Sequence, residues 1–213
     1  MRVRERLTAV LAGLSVALLP AVISPHHPLS AGLLPTAQAQ QAGSVQKRKQ
    51  PLLRIGAIPD QNPEKLNRLY GLVANELAQQ LGVTVKYVPV TDYAAAVSAF
   101  RTGDLDLVWF GGLTGVQATL QKPGARMVAQ RDIDAQFYTV FIANPRSGLK
   151  PIRSINQLAE LKGKRFTFGS ESSTSGRLMP QYFLSKAGVT LKDFAGGAPG
   201  FSGSHDATIA LVQ

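Results

Sequence analysis

From Leu52 to Phe110 the chain switches repeatedly between two hydrophobic periods, and no other feature narrows its folding options as much. Leu52 to Ile58 (LLRIGAI) is a short run of strand character closed by Pro59. Asn62 is a good helix cap, and Pro63 suits a first helical position, where no amide donor is needed. Leu66, Leu69, Tyr70, Val73, Leu77 and Leu81 then recur at steps of three and four, which predicts one apolar helix face ended by Gly82. Val83 to Val90 returns to strand character, a helix is predicted from Asp92 to Thr102 with Gly103 as its stop, and Leu105 to Phe110 (LDLVWF) is a third strand. Strand, helix, strand, helix, strand implies right-handed crossovers and a parallel sheet.

The second half repeats the theme. Met127 to Gln130 and Phe137 to Ala143 are predicted strands, Ser154 and Gln157 form a capping box ahead of Leu158 and Leu161, and Lys164 to Phe168 (KRFTF) is another strand. A helix is predicted from Thr174 to Ala187. Asn144 to Arg153, with two prolines and one glycine, reads as a hinge or boundary loop. It divides the body into a first α/β lobe, 52–143, and a second, 144–213. The chain stops at Leu211-Val212-Gln213 inside what reads as a starting helix, so the second lobe is expected to be incomplete and the chain to be a fragment truncated at its C-terminus.

Residues 1–39 read as an address rather than a fold. Arg2, Arg4 and Arg6 precede an apolar run from Leu7 to Ile23, and small residues follow, including Ala37-Gln38-Ala39. A basic head, an apolar middle and an Ala-x-Ala site are the parts of a secretory signal peptide. The alternative, an uncleaved membrane anchor, suits the run less well because Pro20 interrupts it. Residues 40–51 read as a flexible lead-in. The absence of cysteine excludes disulfides, thiolate metal sites, a cysteine nucleophile and a lipidated N-terminal cysteine. With three histidines no metal site is expected. The net charge of +10 suggests nucleic acid at first sight. Residues 1–50, however, carry six basic side chains against Glu5, leaving 17 basic and 12 acidic ones spread over the remaining 163 positions. A mildly basic body of this kind argues against a nucleic-acid partner. The mature protein is expected to be a soluble periplasmic monomer, meeting the membrane only through its signal peptide or a membrane partner.

The chemistry is concentrated where strands become helices. Gly169-Ser170-Glu171-Ser172-Ser173-Thr174-Ser175-Gly176 spans one such junction. A helix start exposes unpaired amides and a partial positive charge, so an oxyanion fits there, and Ser172, Ser173, Thr174 and Ser175 add hydroxyls. The plainer reading is a serine-rich turn with one capping side chain. Gly197 to Asp206 is a glycine-rich loop that delivers His205 to another helix start, where the histidine either donates to an anion or merely caps. Thr91-Asp92-Tyr93 is a third junction, with Tyr93 either pointing its hydroxyl into a cleft or anchoring the helix as a half-buried aromatic. Trp109 and Phe110, before Gly111-Gly112, read as core or pocket wall. Asp104 and Asp106 read as solvated turn residues at the opposite edge. Ligands of parallel α/β sheets bind beyond the carboxyl ends of the strands, which places these junctions around one cleft. A Ser-His-Asp triad can be composed from the same residues, but no Gly-x-Ser-x-Gly elbow is present, so no enzyme is expected.

Four motifs taken together carry a resemblance. They are Thr91-Asp92-Tyr93-Ala94-Ala95, Asp104 through Gly111 (DLDLVWFG), Ser173-Thr174-Ser175-Gly176 and Gly203-Ser204-His205-Asp206. In order and spacing they resemble the phosphate/phosphite/phosphonate-type periplasmic binding proteins of ABC transporters, a family with a branch described as selenate binders. The resemblance runs from Leu53 to Gln213. It implies a two-lobed Venus-flytrap fold of the type 2 periplasmic binding proteins, with a small oxyanion clamped between the lobes and passed to an ABC permease and its ATPase. It implies no cofactor. It implies ligand contacts from Tyr93, from Ser172, Ser173, Thr174 and Ser175, and from His205. Phosphonate binders carry a tyrosine near Phe137, whose hydroxyl this chain lacks. The family's acidic ligand contacts fall beyond Gln213. A ligand-sensing receptor module and a periplasmic phosphoester hydrolase are the alternatives.

Overall fold

The computed structural model describes residues 51–213, so the predicted signal peptide and nearly all of the lead-in lie outside the described residues. The alternation of periods becomes β1 (Leu52–Ala57), α1 (Pro63–Leu81), β2 (Thr84–Tyr87), α2 (Tyr93–Thr102), β3 (Leu107–Trp109) and α3 (Gly112–Gln121). The three strands form one sheet in the order β2-β1-β3, and β1 runs parallel to both neighbours. The cap chemistry explains the helix bounds. Asn62 accepts from the amides of Glu64 and Lys65, Asp92 accepts from Ala95, and Gly82 and Gly103 close the two helices in the left-handed conformation. The core under this sheet holds Ile55, Ala57, Leu66, Ala74, Ala96, Val97, Leu105 and Ala118.

Asp106 is more than a solvated turn residue. Its carboxylate takes the Arg54 guanidinium in a two-toothed pair, Oδ1 to Nη2 at 2.9 Å and Oδ2 to Nε at 3.0 Å, and also accepts the Arg54 amide at 2.8 Å. The start of β3 is thereby stapled to β1. The hydrogen bonds from Arg54 hold the Asp106 carboxyl below its ordinary value.

The second half is built around a two-stranded parallel sheet of β4 (Thr167–Phe168) and β5 (Gly200–Phe201). Between them lies α4 (Met179–Lys186), and α5 (His205–Val212) follows β5. Phe168 is the centre of this half. It packs edge-on against Phe166 and stacks on Phe201, while Phe166 stacks on Phe194 with centroids 4.5 Å apart. Leu158, Leu161, Leu184 and Val189 complete the cluster. The predicted capping box forms, with Gln157 Oε1 accepting the Ser154 amide at 3.1 Å.

Two predicted strands are absent. Met127 to Gln130 and Phe137 to Ala143 have no hydrogen-bonded strand neighbour among the described residues. Their apolar side chains are largely exposed: Met127, Val128, Tyr138 and Val140 keep about three-quarters of their surface. Strand character in the side chains does not make a strand without a backbone partner. Conversely, Gly200 and Phe201 lie in what reads as a glycine-rich loop, yet Gly200 is where a bare backbone is needed, since a Cβ there would stand 3.3 Å from Thr167 Oγ1. Replacing Phe168 by alanine is expected to cost roughly 3–5 kcal/mol through lost burial and an unfilled cavity. Urea unfolding of the variant beside the native chain measures it, and a shift below about 1 kcal/mol would place the core elsewhere.

Candidate functional site

Every junction singled out from the sequence lies at the carboxyl end of a strand, and the serine-rich one is the most elaborate. The chain leaves β4 at Gly169, bends through Ser172 and re-enters a helix at Thr174. The first turn, Thr174–Leu178, is wider than an α-turn, and α4 follows directly. Pro180 accounts for this. It has no amide to donate to Gly176, four residues earlier, so that carbonyl turns outward and accepts the Gly169 amide at 2.9 Å. A bare backbone suits the carbonyl end of that bond: a Cβ on Gly176 would meet Ser173 Oγ at 3.0 Å and Gly169 Cα at 3.3 Å.

The four hydroxyls are used differently. Ser173 is buried, 3% exposed, and its Oγ caps the new helix by accepting the Gly176 amide at 2.9 Å. Thr174 Oγ1 reaches across to the first half and accepts the Leu113 amide at 2.7 Å, in the first turn of α3. Gly112 permits that approach, because a Cβ there would lie 3.2 Å from Thr174 Oγ1. Ser172 donates its amide to Ser170 Oγ, and the Ser175 carbonyl accepts the Thr139 hydroxyl at 3.1 Å. Among the described residues neither the Ser172 nor the Ser175 hydroxyl makes a hydrogen bond of its own.

Tyr93 opens α2 and is 2% exposed, more buried than the half-buried anchor of the plainer sequence reading. Ser173 is a neighbour of its phenol. Burial pushes the phenol up to about 12, with the nearby Asp60 carboxylate adding to the shift, so the hydroxyl remains a donor at physiological pH. His205 opens α5, where Ser204 supplies the cap by accepting from Ala207. The His205 amide donates to the Asp60 carbonyl at 3.1 Å, and next to it Asp206 Oδ2 accepts the Asn62 amide at 2.8 Å. The two bonds pin the start of α5 onto the turn between β1 and α1. Tyr93 and Ser173 are thus brought together directly, His205 joins them through Asp60, and Thr174 stands beside them on the start of α3. Ser172 and Ser175 flank this group. Ser175 and His205 also line a cavity of about 300 Å³ whose other walls include Phe137, Val140, Phe168 and Ile209.

Asp60 escaped the sequence reading. It follows Pro59 at the end of β1 and looks there like a helix preface, although it is a strand-to-helix junction like the others. Burial pushes its carboxyl above the ordinary value of 3.8, and His205, Gln61 and Arg131 pull it partly back. A carboxyl raised in the folded state contributes its stability below its unfolded value, and that contribution is lost as the pH climbs through the raised one. Asp60→Asn is therefore expected to melt at a higher temperature than the native chain at neutral pH, with the difference closing as the pH falls below 3.8. Thermal melts across the acid range test this, and a difference that is independent of pH would contradict the burial of the ionised group.

Comparison with known proteins identifies the family. Residues 55–213 match the family model described as "ABC transporter, phosphonate, periplasmic substrate-binding protein". A probable ABC transporter phosphite binding protein of Prochlorococcus marinus is 60% identical over 162 residues, which cover 76% of this chain and 54% of that protein. The phosphonates-binding periplasmic protein of Escherichia coli is 30% identical over 67% of this chain and 42% of its own length. A solved Prochlorococcus marinus structure in complex with methylphosphonate superposes with a TM-score of 0.75 at 60% identity, covering 76% of this chain and 60% of that one. The chain spans about half the length of the curated relatives it matches. Its α/β fold is that of the periplasmic binding proteins, and it belongs to the phosphonate-type periplasmic substrate-binding family of ABC transporters.

Proposed function

We propose that the protein is the solute-binding component of an ABC importer for a small phosphorus oxyanion, of the phosphite, phosphonate or phosphate type. The observation that carries this reading is the meeting of two helix starts at Thr174, with Ser173, Tyr93 and the start of α5 grouped around them. Helix starts offer unpaired amides and positive partial charge, and hydroxyls add neutral donors, so a compact anion is held without a lysine or arginine. The ligand contacts of the reading are Tyr93, Ser172, Ser173, Thr174, Ser175 and His205. The ligands of the relatives support phosphorus chemistry: one is described as a phosphite binder, one as a phosphonates binder, and one structure holds methylphosphonate.

The mechanism is closure. Residues 52–143 and 144–213 contribute to opposite walls, and a ligand that binds both walls favours the closed arrangement by its differential affinity for it. Residues 1–39 direct export and are removed, leaving a periplasmic monomer that delivers its ligand to a permease and its ATPase. No covalent step is involved. Ser173 spends its hydroxyl oxygen capping a helix, which is poor use of a nucleophile.

Calorimetry of the chain with phosphite, methylphosphonate and phosphate tests the reading. Ser173→Ala with Thr174→Ala is expected to weaken binding by a few kcal/mol, since each hydrogen bond to a charged partner contributes about 1.5–3 kcal/mol. His205→Ala is expected to weaken it as well. Unchanged dissociation constants in both variants would remove these junctions from the site.

A further inference from the structure

The positive surplus of the described body is not shared between its halves. Residues 52–143 carry eight basic and eight acidic side chains and so balance, whereas residues 144–213 carry nine basic and four acidic ones. Within the second half the surplus is gathered again. Three loops, residues 145–153, 162–165 and 190–195, hold seven of its basic side chains, with Asp193 as their single acid. The fold brings these loops to one place. Lys164 Nζ donates to the Ser147 carbonyl at 3.3 Å, which sets the loop of Arg146 and Lys150 beside the approach to β4. The Gly163 amide donates to the Asp193 carbonyl at 2.6 Å and the Ala195 amide to the Lys164 carbonyl at 2.9 Å, which sets the loop of Lys192 there too. Arg146, Lys150, Lys162, Lys164 and Lys192 are all exposed. Asp193 offsets little of their charge, since its carboxylate accepts the Thr190 amide at 2.7 Å and stands 3.8 Å from Lys162. The last two loops precede β4 and β5, which are parallel, so the basic loops lie at the amino end of that sheet. The serine-rich turn and the start of α5 follow its carboxyl end, so this charge stands apart from the anion junctions.

We infer that this basic end is a docking surface for a bilayer that carries anionic lipid headgroups. Such direct contact goes beyond the signal peptide and the membrane partner expected from the sequence. Four of the five named cations are lysines, compact and strongly hydrated point charges that need no fixed fork of acceptors. A fluid headgroup layer places an anion under each of them, although they stand on three separate loops. An acidic polypeptide has to match all three loops in one register. Each lysine or arginine near an anionic surface raises partition onto it about fivefold. The attraction fades over about 10 Å at 0.1 M salt, so it concentrates the protein at the membrane without anchoring it. Because the basic end is opposite the junctions, contact with the bilayer leaves them uncovered.

Vesicle co-sedimentation of the processed protein tests this, with phosphatidylcholine vesicles that contain or lack phosphatidylglycerol. Binding to the anionic vesicles at low salt is expected to exceed binding to the neutral ones by at least about tenfold, and to fall to the neutral level at about 1 M salt. Arg146→Glu with Lys150→Glu and Lys192→Glu removes three cations that form no ion pair among the described residues, and is expected to lose at least about tenfold in binding. Lys65→Glu with Arg68→Glu and Lys86→Glu changes the net charge equally on the balanced half, and is expected to lose less than about threefold. Equal losses in the two triple variants overturn the inference, because net charge alone then accounts for the attraction. Native protein that binds neutral and anionic vesicles alike overturns it whether or not the variants fold. Retention on polyglutamate without binding to the vesicles overturns it in favour of a polypeptide partner. None of these outcomes bears on the oxyanion reading, which the calorimetry above tests separately.

Discussion

The hydrogen bond from the Leu113 amide to Thr174 Oγ1 is the constraint on which the site depends. It places the positive ends of two helices, α3 and the turn leading into α4, against each other. Like partial charges at that distance repel, and a hydroxyl oxygen between them offsets only part of the repulsion. The arrangement is therefore poised for negative charge. Glycine makes it sterically possible, since a Cβ on Gly112 would stand 3.2 Å from Thr174 Oγ1. Pro180 contributes at a distance, by leaving the Gly176 carbonyl free to tie the turn to the end of β4.

From this centre the surrounding groups fall into an order. Ser173 accepts from Gly176 and neighbours Tyr93. Asp60 lies beyond Tyr93 and holds the start of α5 by its carbonyl.

The parts of this arrangement that were legible in the sequence are those with local causes. Asn62, Asp92, Gly82 and Gly103 announce helix ends by chemistry that acts within four residues, and the parallel sense of the strands follows from the alternation of strand and helix runs. The gathering of Tyr93, Ser173, Thr174 and His205 followed from a rule about sheet edges applied to strand ends. What escaped depends on partners far away in the chain. Asp106 reads as a solvated turn until Arg54 is brought beside it, 52 positions earlier. Met127 to Gln130 and Phe137 to Ala143 have the composition of strands, but a strand is a property of two segments. Gly200 and Phe201 have the composition of a loop and pair with β4 all the same. Asp60 was hidden by Asn62 and Pro63, whose obvious role as a helix start drew the reading past the end of the strand.

Three of the bonds that bridge the two halves have a common form. The Thr174 hydroxyl caps α3, the Asp206 carboxylate takes the amide at the start of α1, and the Asp60 carbonyl takes the amide at the start of α5. In each case one half satisfies a helix start of the other. Such starts carry amides that their own helices leave unpaired, so water replaces each bridge at small net cost when the halves part. Under the function proposed above, exchangeable bonds of this kind would hold a closed arrangement only weakly, and a guest bonded to Thr174, Tyr93 and His205 together would add contacts that water does not reproduce in one piece, so that the ligand rather than the bridges would decide which arrangement prevails.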